Sequence, residues 1–156
     1  MLRIFKKRLP YPVSAASWLW VGTQFVCIAY LSLSAPLVAG RLFMLLFELT
    51  GILLTAAGLL KLNWISFSVF PEPRPDGRLE TTGIYSFIRH PMYAGVLLTA
   101  LVLVWEFPSF FRIISLLLLS AVLTRKILLE ERWLKEKYPD FENWKNQTDR
   151  IIPFVW

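Results

Sequence analysis

At 156 residues the chain has room for one domain, and 56% of it is hydrophobic with a mean hydropathy of +0.52, well above the soluble norm. The net charge is +6 and the isoelectric point 9.7, but no nucleic-acid motif accompanies the basic residues, so no nucleic-acid partner is expected. The single cysteine, Cys27, excludes a disulfide framework or a cysteine metal cluster within one chain, and no metal site is expected.

The first predicted element follows Arg3, Lys6, Lys7 and Arg8. It is an uncharged apolar run, Val13–Leu33, about twice the length of a signal-peptide core and followed by no clear cleavage site, so it reads as a retained span. The second run, Leu42–Leu62, carries Glu48 and ends on Lys61. Glu48 lies about six residues inside this run. It reads either as an outer-interface residue reaching headgroups or Arg41, or as a buried pair with another span. Gly51, Thr55 and Gly58 follow it at small-residue spacing, which predicts close helix packing.

A long connection, Asn63 to Arg89, comes next. Trp64 to Phe70 is apolar and aromatic, as befits a membrane interface, and Pro71, Pro73, Pro75 and Gly77 then break any helix. Connections this long are usually functional or disordered, and the aromatic content predicts a packed one. The third run, Met92–Trp105, is short for an upright span; Glu106, Pro108 and Arg112 mark the turn into the fourth, Phe110–Leu129. The expectation is an all-α integral membrane protein with about four transmembrane helices. The last two form a tight hairpin, and a cytoplasmic loop and an amphipathic C-terminal segment complete it.

Of 17 Lys and Arg residues, only Arg41 and Arg112 fall in the connections after the first and third runs. The positive-inside rule therefore puts both termini and the central loop in the cytoplasm, with membrane lipids as partners. A prokaryotic plasma membrane is the expected location.

The densest chemistry lies in Arg89-His90-Pro91-Met92-Tyr93, and in Glu130-Glu131 one helical hairpin later. Two crossings at about 1.5 Å per residue return the chain to its starting face, so His90 and Glu130 can be neighbours. Pro91 suits a helix's first turn, and the donors exposed there favour an anion. Tyr85 and Tyr93 thicken the cluster; Gly95 permits close approach by a ligand or a helix. Lys126 and Glu130, four apart, can pair on one helical face. The tail from Tyr138 to Pro153 is amphipathic and can cover the cleft.

The pattern Leu79-x-Thr81-Thr82-Gly83-x-Tyr85-x-x-Ile88-Arg89-His90-Pro91-x-Tyr93, then Glu130-Glu131-x-x-Leu134 and Arg150-x-Ile152-Pro153, resembles the isoprenylcysteine carboxyl methyltransferase family. The wider set includes phospholipid N-methyltransferases. The resemblance implies one membrane-embedded methyltransferase-like domain, residues 1–156, with its core at 79–153. It also implies S-adenosylmethionine as cofactor, held by His90, Tyr93, Gly95, Leu98, Glu130, Glu131 and Tyr85. Arg89 would orient an anionic acceptor and, with Glu130, would be catalytic. The acceptor would be a lipophilic small molecule or lipidated peptide, first a prenylcysteine-like carboxylate, with a phospholipid or small thiol as alternative. Rival readings are an NADPH-dependent membrane reductase of sterol-reductase type, a transporter using Glu48, and a scaffold. Neither acceptor identity nor oligomeric state can be read from the sequence.

Overall fold

The computed structural model describes residues 13–62 and 66–152. The basic N-terminal residues, Trp64, Ile65 and Pro153 lie outside the described residues. The elements are α1 (Ala15–Leu33), α2 (Leu42–Lys61), a 3₁₀ turn at Gly83–Ser86, α3 (Pro91–Glu106), α4 (Phe110–Lys137) and α5 (Phe141–Lys145). No strand occurs among the described residues; a single parallel bridge joins Ile88 to Asp149.

Helices α1 and α2 are long and apolar enough to cross a membrane, and α3 is a shorter apolar helix. Ser14 starts α1 by accepting the Ser17 amide at 3.1 Å. Large apolar side chains point outward from these helices, among them Trp18, Val26, Leu33, Leu53 and Leu60. So much exposed apolar surface suits lipid rather than water. At 28 residues, α4 is the longest helix among the described residues, about 42 Å.

The hairpin expectation needs qualification. A short turn at 107–109 does link α3 to α4, yet α3 packs chiefly on α2, and α4 packs chiefly on α1. The reason lies in small residues. A Cβ added to Gly95 would stand 2.6 Å from the Thr55 amide nitrogen, and one on Gly51 would stand 2.8 Å from the Gly95 carbonyl oxygen. A Cβ on Gly58 would come within 2.7 Å of Met92. Only hydrogen fits at these crossings, so the α2 and α3 backbones approach closely. Cys27 and Leu31 of α1, Ala100 and Val104 of α3, and Leu119 and Leu123 of α4 form the buried core between the pairs.

Two charged residues depart from their expected positions. Arg112 does not merely mark a turn: it is 2% exposed and donates to the Leu31 and Leu103 carbonyls at 3.0 and 2.9 Å and to Ser34 Oγ at 2.5 Å. These are acceptors at or just past the C-terminal ends of α1 and α3, the Leu103 carbonyl also accepting the Phe107 amide at 3.2 Å, so one guanidinium ties the two helix ends together. Glu48 is buried as well, and reaches neither Arg41 nor another span. Its carboxylate accepts the Ala39 amide at 2.8 Å and fixes the α1–α2 connection.

Gly95→Val is expected to force α2 and α3 apart, at a cost of about 1–3 kcal/mol from overpacking. Gly22→Ala, where nothing lies within 4 Å of an added Cβ, is expected to be neutral. Thermal unfolding of the two variants in detergent checks the contrast.

Candidate functional site

Pro91 opens α3 and His90 is the residue before it, its carbonyl accepting the Ala94 amide at 3.0 Å. Proline at this position fixes the entry angle of the chain and turns the His90 ring back across the first turn. There it stacks on Tyr93, with ring centroids 5.6 Å apart and planes within 15°. Tyr93 donates its hydroxyl to Glu130 Oε2 at 3.1 Å, and His90 Nδ1 lies 3.8 Å from the same oxygen. The two sequence stretches, forty residues apart, therefore meet at one carboxylate.

The adjacent acid has a different environment. Glu131 is buried, and its carboxylate is shared by two arginines: Arg89 Nε donates at 2.9 Å and Arg150 Nη2 at 2.9 Å. Arg150 Nε also donates to both oxygens, and His90 Nε2 lies 3.6 Å away. Burial would raise the Glu131 carboxyl, but interactions with His90, Arg150 and Arg89 outweigh it and hold the group at about 2. Arg89 further donates to the Lys145 carbonyl at 3.0 Å, and to the Thr148 carbonyl and hydroxyl. Its Nε and one terminal nitrogen are thus committed to the protein itself.

The tail joins this frame and walls part of the cleft with Tyr138 and Trp144, as its amphipathic pattern suggests. The Arg89 amide donates to the Asp149 carbonyl at 2.8 Å and the His90 amide to the Arg150 carbonyl at 3.0 Å. Trp144 donates its indole N–H to the Tyr85 carbonyl at 2.8 Å, and Phe141 and Trp144 pack with Tyr85 in a small buried cluster. Tyr85 reaches the Gly58 carbonyl at 3.3 Å. Burial first, then the Glu130 and Glu80 carboxylates, push its phenol well above the ordinary value, so it is neutral near pH 7.

A cleft of about 80 Å³, partly open to solvent, runs between this frame and the central loop. Tyr85, Arg89, His90, Tyr93 and Glu130 line it; Gly95, Leu98 and Glu131 do not. Gly95 follows Tyr93 by two residues, which turns it about 200° around a helix of 3.6 residues per turn. It faces α2, and the close approach it permits is that of a helix.

Lys126 does not pair directly with Glu130. Nearly fully buried, it donates to Gln24 of α1 and to the Val69 carbonyl of the central loop, and its ammonium sits 5.3 Å from the Tyr93 ring centroid. Phe70 packs edge-on against Trp18 at 4.7 Å, so α1 and α4 together fasten the described part of the loop. Sequence reasoning placed Arg150 in the motif without a partner, and missed Gln24 and Glu72 as parts of this arrangement. Gln24, a polar residue amid a charge-free apolar run, carried the one local signal.

The sequence profile of the family described as phospholipid methyltransferase matches residues 37–140, and the chain belongs to that family. Isoprenylcysteine carboxyl methyltransferases fall in the same wider family. No curated protein and no solved structure matches the chain.

Glu131 takes up its proton in the unfolded chain near the ordinary carboxylate value, about 4.3, and in the folded chain only near 2. Its contribution to stability is therefore present above about pH 4.3 and lost as pH falls toward 2. Glu131→Gln is expected to cost about 3 kcal/mol at neutral pH by stranding the buried Arg89 and the partly buried Arg150, and to flatten the acid limb of a stability–pH profile measured by thermal unfolding.

Proposed function

We propose that this protein transfers the methyl group of S-adenosylmethionine to a lipophilic acceptor at the membrane face. In this reading α1 to α4 all cross the bilayer, and both termini and the cleft lie on the cytoplasmic side. The observation that carries it is the meeting of His90, Tyr93 and Glu130 in one cleft, in a chain of a methyltransferase family.

The residues fit such a cofactor. Glu130 keeps 30% of its side chain exposed and, as an acceptor-only carboxylate, suits ribose hydroxyls. His90 lines the cleft with its ring stacked on Tyr93, its Nε2 lying beside the Glu131 carboxylate at 3.6 Å. Tyr85 and Tyr93 offer flat aromatic walls. When bound, the cofactor supplies an electrophilic methyl group on a sulfonium whose charge disperses during transfer, which a partly dry cleft favours. The protein's share is alignment: Tyr93 holds Glu130, Lys126 steadies the Tyr93 face, and the Arg89–Glu131–Arg150 frame keeps His90 in register.

Arg89 in this reading is a positioning residue, since its Nε and one terminal nitrogen are already engaged. A prenylcysteine-like carboxylate would need no base, being ionised near neutral pH, and would find its cation in Arg78 on the cleft wall. An amine-bearing phospholipid is the second acceptor reading, favoured by the carboxylates of Glu72, Glu80 and Glu130 along the same cleft.

Calorimetry in detergent is expected to show binding of S-adenosylhomocysteine, weakened about 10- to 100-fold by His90→Ala or Glu130→Gln, the range for losing a charge-assisted hydrogen bond. Glu48→Gln should leave the affinity unchanged. A protein that binds NADPH and not S-adenosylhomocysteine would be a reductase instead.

A further inference from the structure

Glu72 belongs to none of the motifs above, yet it is the most unusual acid in the molecule. It lies in the central loop between Pro71 and Pro73, whose rings fix the backbone on either side. The loop bends it inward, so that only 8% of the residue is exposed. Ser17, on the first turn of α1 and itself 2% exposed, donates its hydroxyl to Glu72 Oε1 at 2.5 Å. The other oxygen, Oε2, is buried with no hydrogen-bond partner among the described residues. Glu72 also lines the cleft that holds His90, Tyr93 and Glu130.

A buried carboxylate oxygen with no donor is costly, and an ionised one without a positive partner costs more. The buried cation that reaches this loop does not supply the partner. Lys126 reaches the same loop, but its ammonium is taken by Gln24 and by the carbonyl of Val69, three residues before Glu72. Glu72 takes part in no ion pair among the described residues. Glu80, another acid of the cleft wall, is satisfied differently: it accepts the Thr82 amide and hydroxyl within its own turn. Glu72 lines the cleft within a rigid Pro–Glu–Pro turn, and with Ser17 on Oε1 its Oε2 is an acceptor with no donor among the described residues.

We propose that Glu72 is the cleft's ammonium receptor: Oε2 accepts a charged N–H from a bound ligand while Ser17 holds Oε1. Two ligands of the proposed reaction carry this chemistry, the amino group of the cofactor's amino-acid end and the amine of an aminolipid acceptor. The inference rests on the methyl-transfer reading for the identity of those ligands, but not for the receptor itself.

Glu72→Gln keeps an oxygen for Ser17 and removes the charge. Calorimetry on the full-length protein in detergent would use S-adenosylhomocysteine, its desamino analogue, and mixed micelles of phosphatidylethanolamine or phosphatidylglycerol. If the cofactor is the source, Glu72→Gln weakens S-adenosylhomocysteine about tenfold or more, as expected for a lost charged hydrogen bond, and leaves the desamino analogue unchanged. If the acceptor is the source, S-adenosylhomocysteine binds as before, and the preference for phosphatidylethanolamine over phosphatidylglycerol disappears. Ser17→Ala, which frees the carboxylate to turn, should weaken the same ligand by a smaller factor, and it carries the test should Glu72→Gln not fold. Unchanged affinity for both ligands in a folded variant overturns the proposal. A wild-type protein that binds no S-adenosylhomocysteine overturns the methyl-transfer reading instead, and the lipid arm then decides on Glu72 alone.

Discussion

The site depends on one buried carboxylate, Glu131, shared by Arg89 and Arg150. The three residues come from the turn before α3, the intracellular end proposed for α4, and the C-terminal segment. A charge buried this deeply must be paired, and two guanidiniums supply more donors than one acid can use, so Arg89 turns its remaining contacts to main-chain carbonyls at Lys145 and Thr148. Three segments distant in sequence are thereby held in one register. His90, next to Arg89, and Glu130, next to Glu131, inherit that register.

Adjacent acids thus do different work. On a helix, successive residues point about 100° apart, so Glu131 can face the protein interior while Glu130 faces the cleft. The same division separates Arg89, whose side chain braces the tail, from His90, whose ring covers the first turn of α3. Lys126 extends the frame in the other direction, tying α4 to Gln24 of α1 and to the central loop beside Tyr93. The cleft is therefore walled by elements with charged fastenings, and its own chemistry is left to Glu130, to its aromatic walls and to the loop residues Glu72, Arg78 and Glu80.

Much of this was legible in the sequence. The four helices could be located because apolar runs broken by Pro36, Gly40, Pro71 and Pro108 leave little choice of boundary. That His90 and Glu130 can be neighbours followed from helix length, and close packing of α2 from the spacing of Gly51, Thr55 and Gly58, though not that its partner is α3. Pairings over long sequence distances were not legible. Nothing near Arg150 says that it will clasp Glu131, and nothing near Arg112 says that it will tie two other helix ends together. Lys126 and Glu130 illustrate the limit: spacing allowed a pair, but burial gave the lysine better acceptors on α1 and the loop. Gly95 shows the same limit from the packing side, since a glycine suits a ligand or a helix equally until the neighbour is known.

The family match joins a membrane setting to methyl transfer, and the geometry assigns each charged residue near the cleft either to the frame or to its open face. A structure determined with S-adenosylhomocysteine bound tests that division most directly. The account predicts the ligand against His90, Tyr93 and Glu130, with Arg89 and Arg150 still on Glu131. A ligand seated elsewhere, or one that draws Arg89 away from Glu131, would contradict it.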